Sequence, residues 1–120
     1  MDKEAVLAKL DQLITSEQAV LDNYYEKLPN TKIVQLDRQV LSTLLEAILA
    51  HFDQSLEDFL KLPVPEREAL AKTIRTHISD LVKSLIYQVA DGQAENYLAF
   101  PNSGSSNYIM WELLVYSSSN

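Results

Sequence analysis

Cysteine is absent from the 120-residue chain, and glycine occurs only twice. Without thiols the protein has no disulfide, no thiolate zinc site and no cysteine nucleophile. Two glycines are too few for a glycine-rich phosphate-binding loop. No apolar run approaches the roughly 18–20 residues that a membrane-spanning helix needs. The charged start, Met1 to Glu4, leads into no long apolar stretch and predicts no secretory signal, so we expect a cytoplasmic protein.

Positive charge is scarce as well. Ten Lys and Arg stand against seventeen Asp and Glu, which gives a net charge of −7, and no Lys or Arg follows Lys83. A negative protein repels nucleic-acid phosphates and anionic lipids, so we expect neither nucleic acid nor membrane as a partner. Hydrophobic residues make up 47% and charged residues 22% of the chain, which is typical of globular proteins. The length predicts one domain over residues 1–120.

Apolar residues recur at spacings of three and four in three segments, which predicts three amphipathic helices. They cover residues 3–28, 37–61 and 65–90 and are separated by Pro29, Pro63 and Pro65. Asp37 is a plausible N-cap of the second helix, and Asp91-Gly92 is a stop signal after the third. In the first segment, Thr15 to Gln18 resembles a capping box. We favour one continuous helix there over two helices meeting near Thr15.

The last 28 residues are ambiguous. Residues 93–100 suit a short helix or a strand, and the composition of residues 101–107 predicts a loop. In residues 108–116, every second apolar residue would lie on the same face of a strand, which favours a strand. Nearly all nine of these residues are apolar, however, and they follow a possible N-cap, Asn107, which equally suits a buried helix. Three amphipathic helices need a fourth layer to close their core, so a helix is favoured over a β-hairpin. The predicted fold is all-α: an antiparallel bundle of three long helices plus a short C-terminal aromatic element.

The only two histidines are His51 and His77, each at the edge of an apolar helix stripe. They could form a metal pair if their helices met in register, but boundary histidines capped by solvent are the simpler interpretation. The Glu-x-x-His pattern of di-iron bundles does not occur, because Glu46 lies five residues before His51. No serine lies in a G-x-S-x-G turn. We therefore expect no metal and no cofactor, and we favour a non-enzymatic protein over a metal-dependent enzyme that would use His51 and His77.

Charged residues predict two helical surfaces. Asp53, Glu57 and Asp58 cluster on the second predicted helix, with Asp53 and Glu57 four apart on one face; this surface is solvated or docks a basic partner. The third predicted helix carries a basic stripe that is solvated or contacts an acidic partner or a second copy of the chain. The stripe comprises Lys72, Arg75 and Lys83, with Arg67 nearby and an ion pair expected between Glu68 and Lys72.

Half of the aromatic residues lie in the last 24 positions: Tyr97, Phe100, Tyr108, Trp111 and Tyr116. They could complete the core, form a protein interface or line a ligand pocket, because Tyr and Trp are common in all three settings. The predicted function is a non-enzymatic protein–protein interaction module, with a homodimer as one possibility. Its interaction residues would be these aromatics together with Asp53, Glu57 and Asp58. The alternative is a small-ligand sensor or carrier with a pocket lined by Tyr97, Tyr108 and Trp111.

Overall fold

The computed structural model describes residues 1–27, 36–89 and 100–119, apart from the side chains of residues 24, 25, 27, 87 and 100–103. These residues form helices and no strand, which confirms the all-α fold. None of the described helices is long and apolar enough to cross a bilayer. The helices are α1 (Lys3–Lys27), α2 (Arg38–Ala50), α3 (Leu56–Lys61), α4 (Val64–Val89) and α5 (Phe100–Ser118).

Helix α1 runs without interruption through the segment that resembled a capping box. The Thr15 hydroxyl donates to the Asp11 carbonyl at 3.0 Å, within its own helix, and caps nothing. Glu17 interrupts the apolar stripe because its carboxylate meets α5, where Oε2 accepts a hydrogen bond from the Ser105 hydroxyl at 3.2 Å. Val20, which the spacing places on the stripe, is 46% exposed. The prediction of one continuous helix is confirmed.

The prediction of one helix over residues 37–61 is wrong, because this segment forms two helices, α2 and α3. Asp37 is the N-cap of α2, as predicted, and accepts from the Val40 amide at 2.8 Å. After α2 the chain reverses at Asp53, whose φ of 59° lies in the left-handed region. The Gln54 amide donates to the Leu49 carbonyl and the Asp53 amide to the Ala50 carbonyl, both at 3.0 Å, which is the Schellman pattern of a helix end.

Helix α3 starts at once after this turn. The Ser55 hydroxyl accepts from the Asp58 amide at 3.1 Å, and Glu46 Oε2 accepts from the Leu56 amide at 3.1 Å. Both bonds satisfy amides that the start of a helix leaves unpaired. The apolar period hides the break, since Leu56 and Phe59 are buried like the core residues of α2.

Helix α4 agrees with the predicted third segment to within one residue at each end. It begins at Val64, so Pro65 is its second residue, and the Asp91-Gly92 stop lies outside the described residues. Its buried face is wider than the predicted stripe, because α4 packs against both α2 and α5. Ala71 and Val82 are buried beside Ile74 and Leu81.

Helix α5 confirms that the C-terminal aromatic element is a helix, but it is longer than predicted. It begins at Phe100, so the loop expected over residues 101–107 is wrong and Asn107 is not an N-cap. Packing explains the difference, because Ser105 and Ser106 are buried at 5% and 0% exposure. The residues 93–99 lie outside the described part of the chain.

Helix α5 is the fourth layer of the bundle and makes its most extensive contacts with α4 and α1. It buries Ile109, Met110, Leu113 and Leu114 at 1% exposure or less. Contacts at both ends show that it runs antiparallel to α4, since the start of α4 meets the end of α5. Arg67 Nη1 donates to the Ser117 carbonyl at 2.8 Å, and the Arg75 guanidinium lies over the Trp111 ring.

Helix α1 is antiparallel to α5 by the same reasoning. Lys9 Nζ lies 5.6 Å from the centroid of the Tyr116 ring, while Glu17, two turns further along, meets Ser105. Helix α2 starts beside the middle of α1, where Arg38 Nε lies 3.3 Å from Asp11 Oδ1. The order of neighbours around the bundle is therefore α1, α5, α4 and α2, with α3 continuing the layer of α2.

Candidate functional site

A groove of about 670 Å³ lies open to solvent along the outer side of the α4–α5 contact. Both helices are long and antiparallel at this point, so the groove is elongated and has one helix on each side. It is lined by Glu68, Lys72, Arg75, Thr76 and Ile78 from α4 and by Asn107, Tyr108 and Trp111 from α5.

Helix α5 carries an exposed stripe with helical spacing, of which Tyr108 and Trp111 line the groove. Tyr108 is 40%, Trp111 41% and Val115 36% exposed, and Gly104 is exposed one turn before them. These four residues follow one another at intervals of four, three and four, which places them on one face of the helix. We call them the α5 stripe. The opposite face of α5 is buried in the bundle, so the stripe is not needed to complete the core.

The wall formed by α4 carries two cations. The Arg75 guanidinium carbon lies 4.8 Å from the centroid of the Trp111 ring, which is a cation–π contact. Lys72 lies one turn before Arg75. The expected ion pair between Glu68 and Lys72 is wrong: within the described part of the chain, neither Lys72 nor Arg75 makes an ion pair within 4 Å. Lys72 is exposed in the groove, and the Arg75 guanidinium faces the Trp111 ring.

Two polar atoms beside the groove, Arg75 Nε and Asn107 Oδ1, are buried and have no hydrogen-bond partner among the described residues. A buried polar group without a partner costs on the order of 1–3 kcal/mol. Both residues line the groove, so this cost is concentrated on the same surface as the exposed aromatic rings.

Only part of the predicted aromatic cluster reaches this groove. Tyr108 and Trp111 line it, whereas Tyr116 is half-buried against α1, where it contacts Lys9. Tyr97 and the side chain of Phe100 lie outside the described residues, so their predicted roles as interaction residues stay predictions.

The acidic cluster does not share a helical face. Asp53 lies in the turn after α2, whereas Glu57 and Asp58 lie in the first turn of α3. All three are exposed. Carboxylates in the first turn of a helix are stabilised by its dipole, so Glu57 and Asp58 have a structural explanation at this position. The single acidic face predicted for one long helix is wrong.

The basic stripe is also divided. Lys72 and Arg75 line the groove, but Arg67 is only 5% exposed and binds the end of α5 through the Ser117 carbonyl. The sequence spacing placed Arg67 near the stripe and gave no signal that it would be buried. Asn107 also lines the groove, which the sequence analysis did not predict. It lies in residues 101–107, whose composition predicted a loop, and was considered only as a possible N-cap.

The histidines do not form a site with each other. Both are exposed; His51 packs edge-on against Phe52, with ring centroids 5.3 Å apart. No hydrogen bond or ring contact among the described residues joins His51 to His77. Within the same part of the chain, no cluster of three or more His, Asp or Glu side chains could hold a metal ion.

No protein-family model matches the chain, and no curated protein and no solved structure matches it significantly. The described residues form an all-α bundle with an aromatic and basic groove between α4 and α5.

Proposed function

We propose that this chain is a non-enzymatic, cytoplasmic protein–protein interaction module of the adaptor, inhibitor or assembly-factor type, and that it binds its partner in the α4–α5 groove. The observation that carries the proposal is the pairing of the exposed Trp111 ring with the Arg75 guanidinium on an open, elongated surface. Trp, Tyr and Arg are the residues most enriched at the energetic centres of protein interfaces.

Energetics support a macromolecular partner. Each Å² of apolar surface removed from water stabilises a complex by roughly 25 cal/mol, and the α5 stripe offers two large rings and Val115 to be covered. The rings pack against neighbours on one side, so ordering them on binding costs little.

Photo-crosslinking tests this proposal. Benzoylphenylalanine would replace Tyr108 in the groove, and, as a control, Val20, which is similarly exposed on α1. We expect position 108, and not position 20, to give a specific protein adduct in cells. The adduct should disappear in Trp111→Ala, while circular dichroism shows that this variant is folded. Equal labelling at both positions, or a position-108 adduct unaffected by Trp111→Ala, would contradict the proposal.

The alternative of a small-ligand sensor or carrier has one observation in its favour. The groove volume of about 670 Å³ falls within the roughly 300–1,000 Å³ typical of ligand pockets. Such pockets usually enclose most of the ligand, whereas this groove is open along its length. The chain's single tryptophan lines it, so a ligand should change its fluorescence. Saturable quenching by one member of a metabolite panel, absent in Tyr108→Ala, would favour this alternative.

A further inference from the structure

The charges along the groove indicate the chemistry of its partner. The protein as a whole has a net charge of −7, yet the groove is lined by two cations, Lys72 and Arg75, and one carboxylate, Glu68. Neither cation is ion-paired within the described part of the chain. Fields from distant exposed charges are screened beyond about 8 Å at physiological salt, so an occupant of the groove responds mainly to these nearby cations.

The shape of the groove favours an elongated occupant. Its α4 wall runs from Glu68 to Ile78, about 15 Å at 1.5 Å per residue, and its α5 wall is formed by Asn107, Tyr108 and Trp111. On the opposite wall, Lys72 and Arg75 are one turn apart, and Arg75 contacts the Trp111 ring. A Cβ placed on Gly104 would meet no atom of the described residues within 4 Å.

We propose that the groove binds an acidic amphipathic helix of a partner protein. This inference rests on the proposed function and specifies the partner. The apolar face of the bound helix covers Tyr108 and Trp111, and carboxylates at its edge pair with Lys72 and Arg75. In helix-in-groove recognition the bound helix supplies apolar anchors at intervals of three and four residues, and here these anchors would cover the two rings. Carboxylates suit Arg75 because its planar guanidinium can donate two parallel hydrogen bonds.

Two other occupants fit less well. Single-stranded nucleic acid also binds cations beside aromatic rings, but each nucleotide brings a phosphate, and the groove offers two cations on a strongly negative protein. A second copy of the chain could offer the carboxylates near Asp53. That contact would join two different surfaces, so it closes into a dimer only if a two-fold axis lets both pairs of surfaces meet at once.

Three synthetic peptides test the proposal. Each is a helix of about 16 residues, or roughly 24 Å, with the same leucine stripe and with Glu, Gln or Lys at the flanking positions. The peptides contain no tryptophan, so the fluorescence of Trp111 reports binding, and calorimetry supplies Kd for the variants. We expect the Glu peptide to bind about tenfold more tightly than the Gln peptide, and the Lys peptide to bind most weakly.

Charge variants locate the preference. In Lys72→Gln/Arg75→Gln, we expect the Glu and Gln peptides to bind with equal affinity. The control Lys61→Gln removes an exposed lysine of α3 that lies outside this groove, and it should preserve the tenfold difference. Loss of the difference in the control as well would show a long-range charge effect and overturn the assignment to Lys72 and Arg75.

Other outcomes separate this inference from the proposed function. If the Glu and Gln peptides bind wild type equally and Trp111→Ala abolishes both, the groove binds proteins but is not selective for acidic ones. If no peptide binds below about 1 mM while the crosslink at position 108 persists, only the acidic-helix inference fails. Tighter binding of an oligothymidylate than of the Glu peptide would overturn both. Self-association in sedimentation that Lys72→Gln/Arg75→Gln abolishes would identify a second copy as the occupant.

Discussion

Asp53 adopts a backbone conformation that suits glycine better than any other residue. Its φ of 59° closes the end of α2, and its carboxylate lies near the negative end of that helix dipole. A non-glycine residue in the left-handed region costs on the order of 1 kcal/mol. No hydrogen bond or ion pair of the described residues compensates for this cost at the Asp53 side chain.

The effect of replacing Asp53 on stability should therefore depend on how well the new residue adopts a positive φ. We expect Asp53→Gly to raise the free energy of unfolding by about 0.5–1 kcal/mol, and Asp53→Asn by somewhat less. Asp53→Ala is the matched control, because it removes the same charge but strains the left-handed backbone; it should be the least stable of the three. Urea unfolding measures all of them, and an Ala variant as stable as the Gly variant would refute the backbone argument.

Arg67 is the clearest buried charge in the bundle. It is 5% exposed, and its Nη1 donates to the Ser117 carbonyl at 2.8 Å, which joins the start of α4 to the end of α5. A cation at the carbonyl end of a helix is stabilised by the helix dipole. The hydrogen bond of a charged donor is typically worth about 1.5–3 kcal/mol.

Substitution of Arg67 should weaken the attachment of α5. We expect Arg67→Met to lower the free energy of unfolding by about 1.5–3 kcal/mol, measured as a shift in the urea midpoint. Arg38→Met is the control: Arg38 pairs with Asp11 at 3.3 Å, but both side chains are more than half exposed, and such pairs contribute below about 1 kcal/mol. Equal losses in the two variants would mean that the buried contact has no special weight.

At the scale of the element, α5 contains a glycine where a helix does not require one. Gly104 lies one turn inside the helix, and a Cβ there would meet nothing within 4 Å. Glycine in a helix interior is about 0.8–1 kcal/mol less favourable than alanine. Alanine at position 104 would therefore make α5 more stable than glycine does.

Gly104→Ala should raise the free energy of unfolding by about 0.5–1 kcal/mol, because it lowers the entropy of the unfolded chain without a clash. The reverse change at an exposed site of α4, Ala69→Gly, should lower it by a similar amount. Thermal and urea unfolding check both. A loss of stability in Gly104→Ala would show that this part of α5 is not a regular helix in solution.

At the scale of the whole molecule, α5 has two faces with different tasks. Leu113 is fully buried in the core, whereas Trp111, two residues earlier, is 41% exposed beside the groove. The same helix thus closes the bundle on one side and presents the proposed binding surface on the other. Variants at these two positions should separate stability from binding.

We expect Leu113→Ala to lower the free energy of unfolding by about 2–5 kcal/mol, since it leaves a cavity in the core. Trp111→Ala should cost below about 1.5 kcal/mol of stability, most of it from the lost contact with Arg75. It should nevertheless weaken partner binding by about 30-fold or more, equal to about 2 kcal/mol. Unfolding by Trp111→Ala comparable to that by Leu113→Ala would show that the tryptophan acts mainly in the core.

The periodicity of apolar residues was enough to predict α1 and α4, whereas the C-terminal helix was favoured over a β-hairpin because three amphipathic helices need a fourth layer. It could not reveal the break at Asp53, because the apolar positions continue in phase through the turn. The signals for that break were local and present, since Ser55 is followed three residues later by Asp58, a pattern that starts helices. The composition of residues 101–107 predicted a loop, but this segment is helical and its Ser105 and Ser106 are buried. Ser105 contacts α1, and a tertiary contact of this kind cannot be read from local composition.

The candidate site divides in the same way. The amino-acid sequence determined that the chain has few cations, no thiols, amphipathic helices and an aromatic C-terminal segment, because these depend on composition and on local spacing. It did not determine which aromatic rings stay exposed, since nearly every residue from Tyr108 to Val115 is apolar and any face of that helix could have been buried. Only the tertiary structure decided this: α1 and α4 cover the face of Ile109 and Leu113, which leaves Tyr108 and Trp111 in solvent beside Arg75.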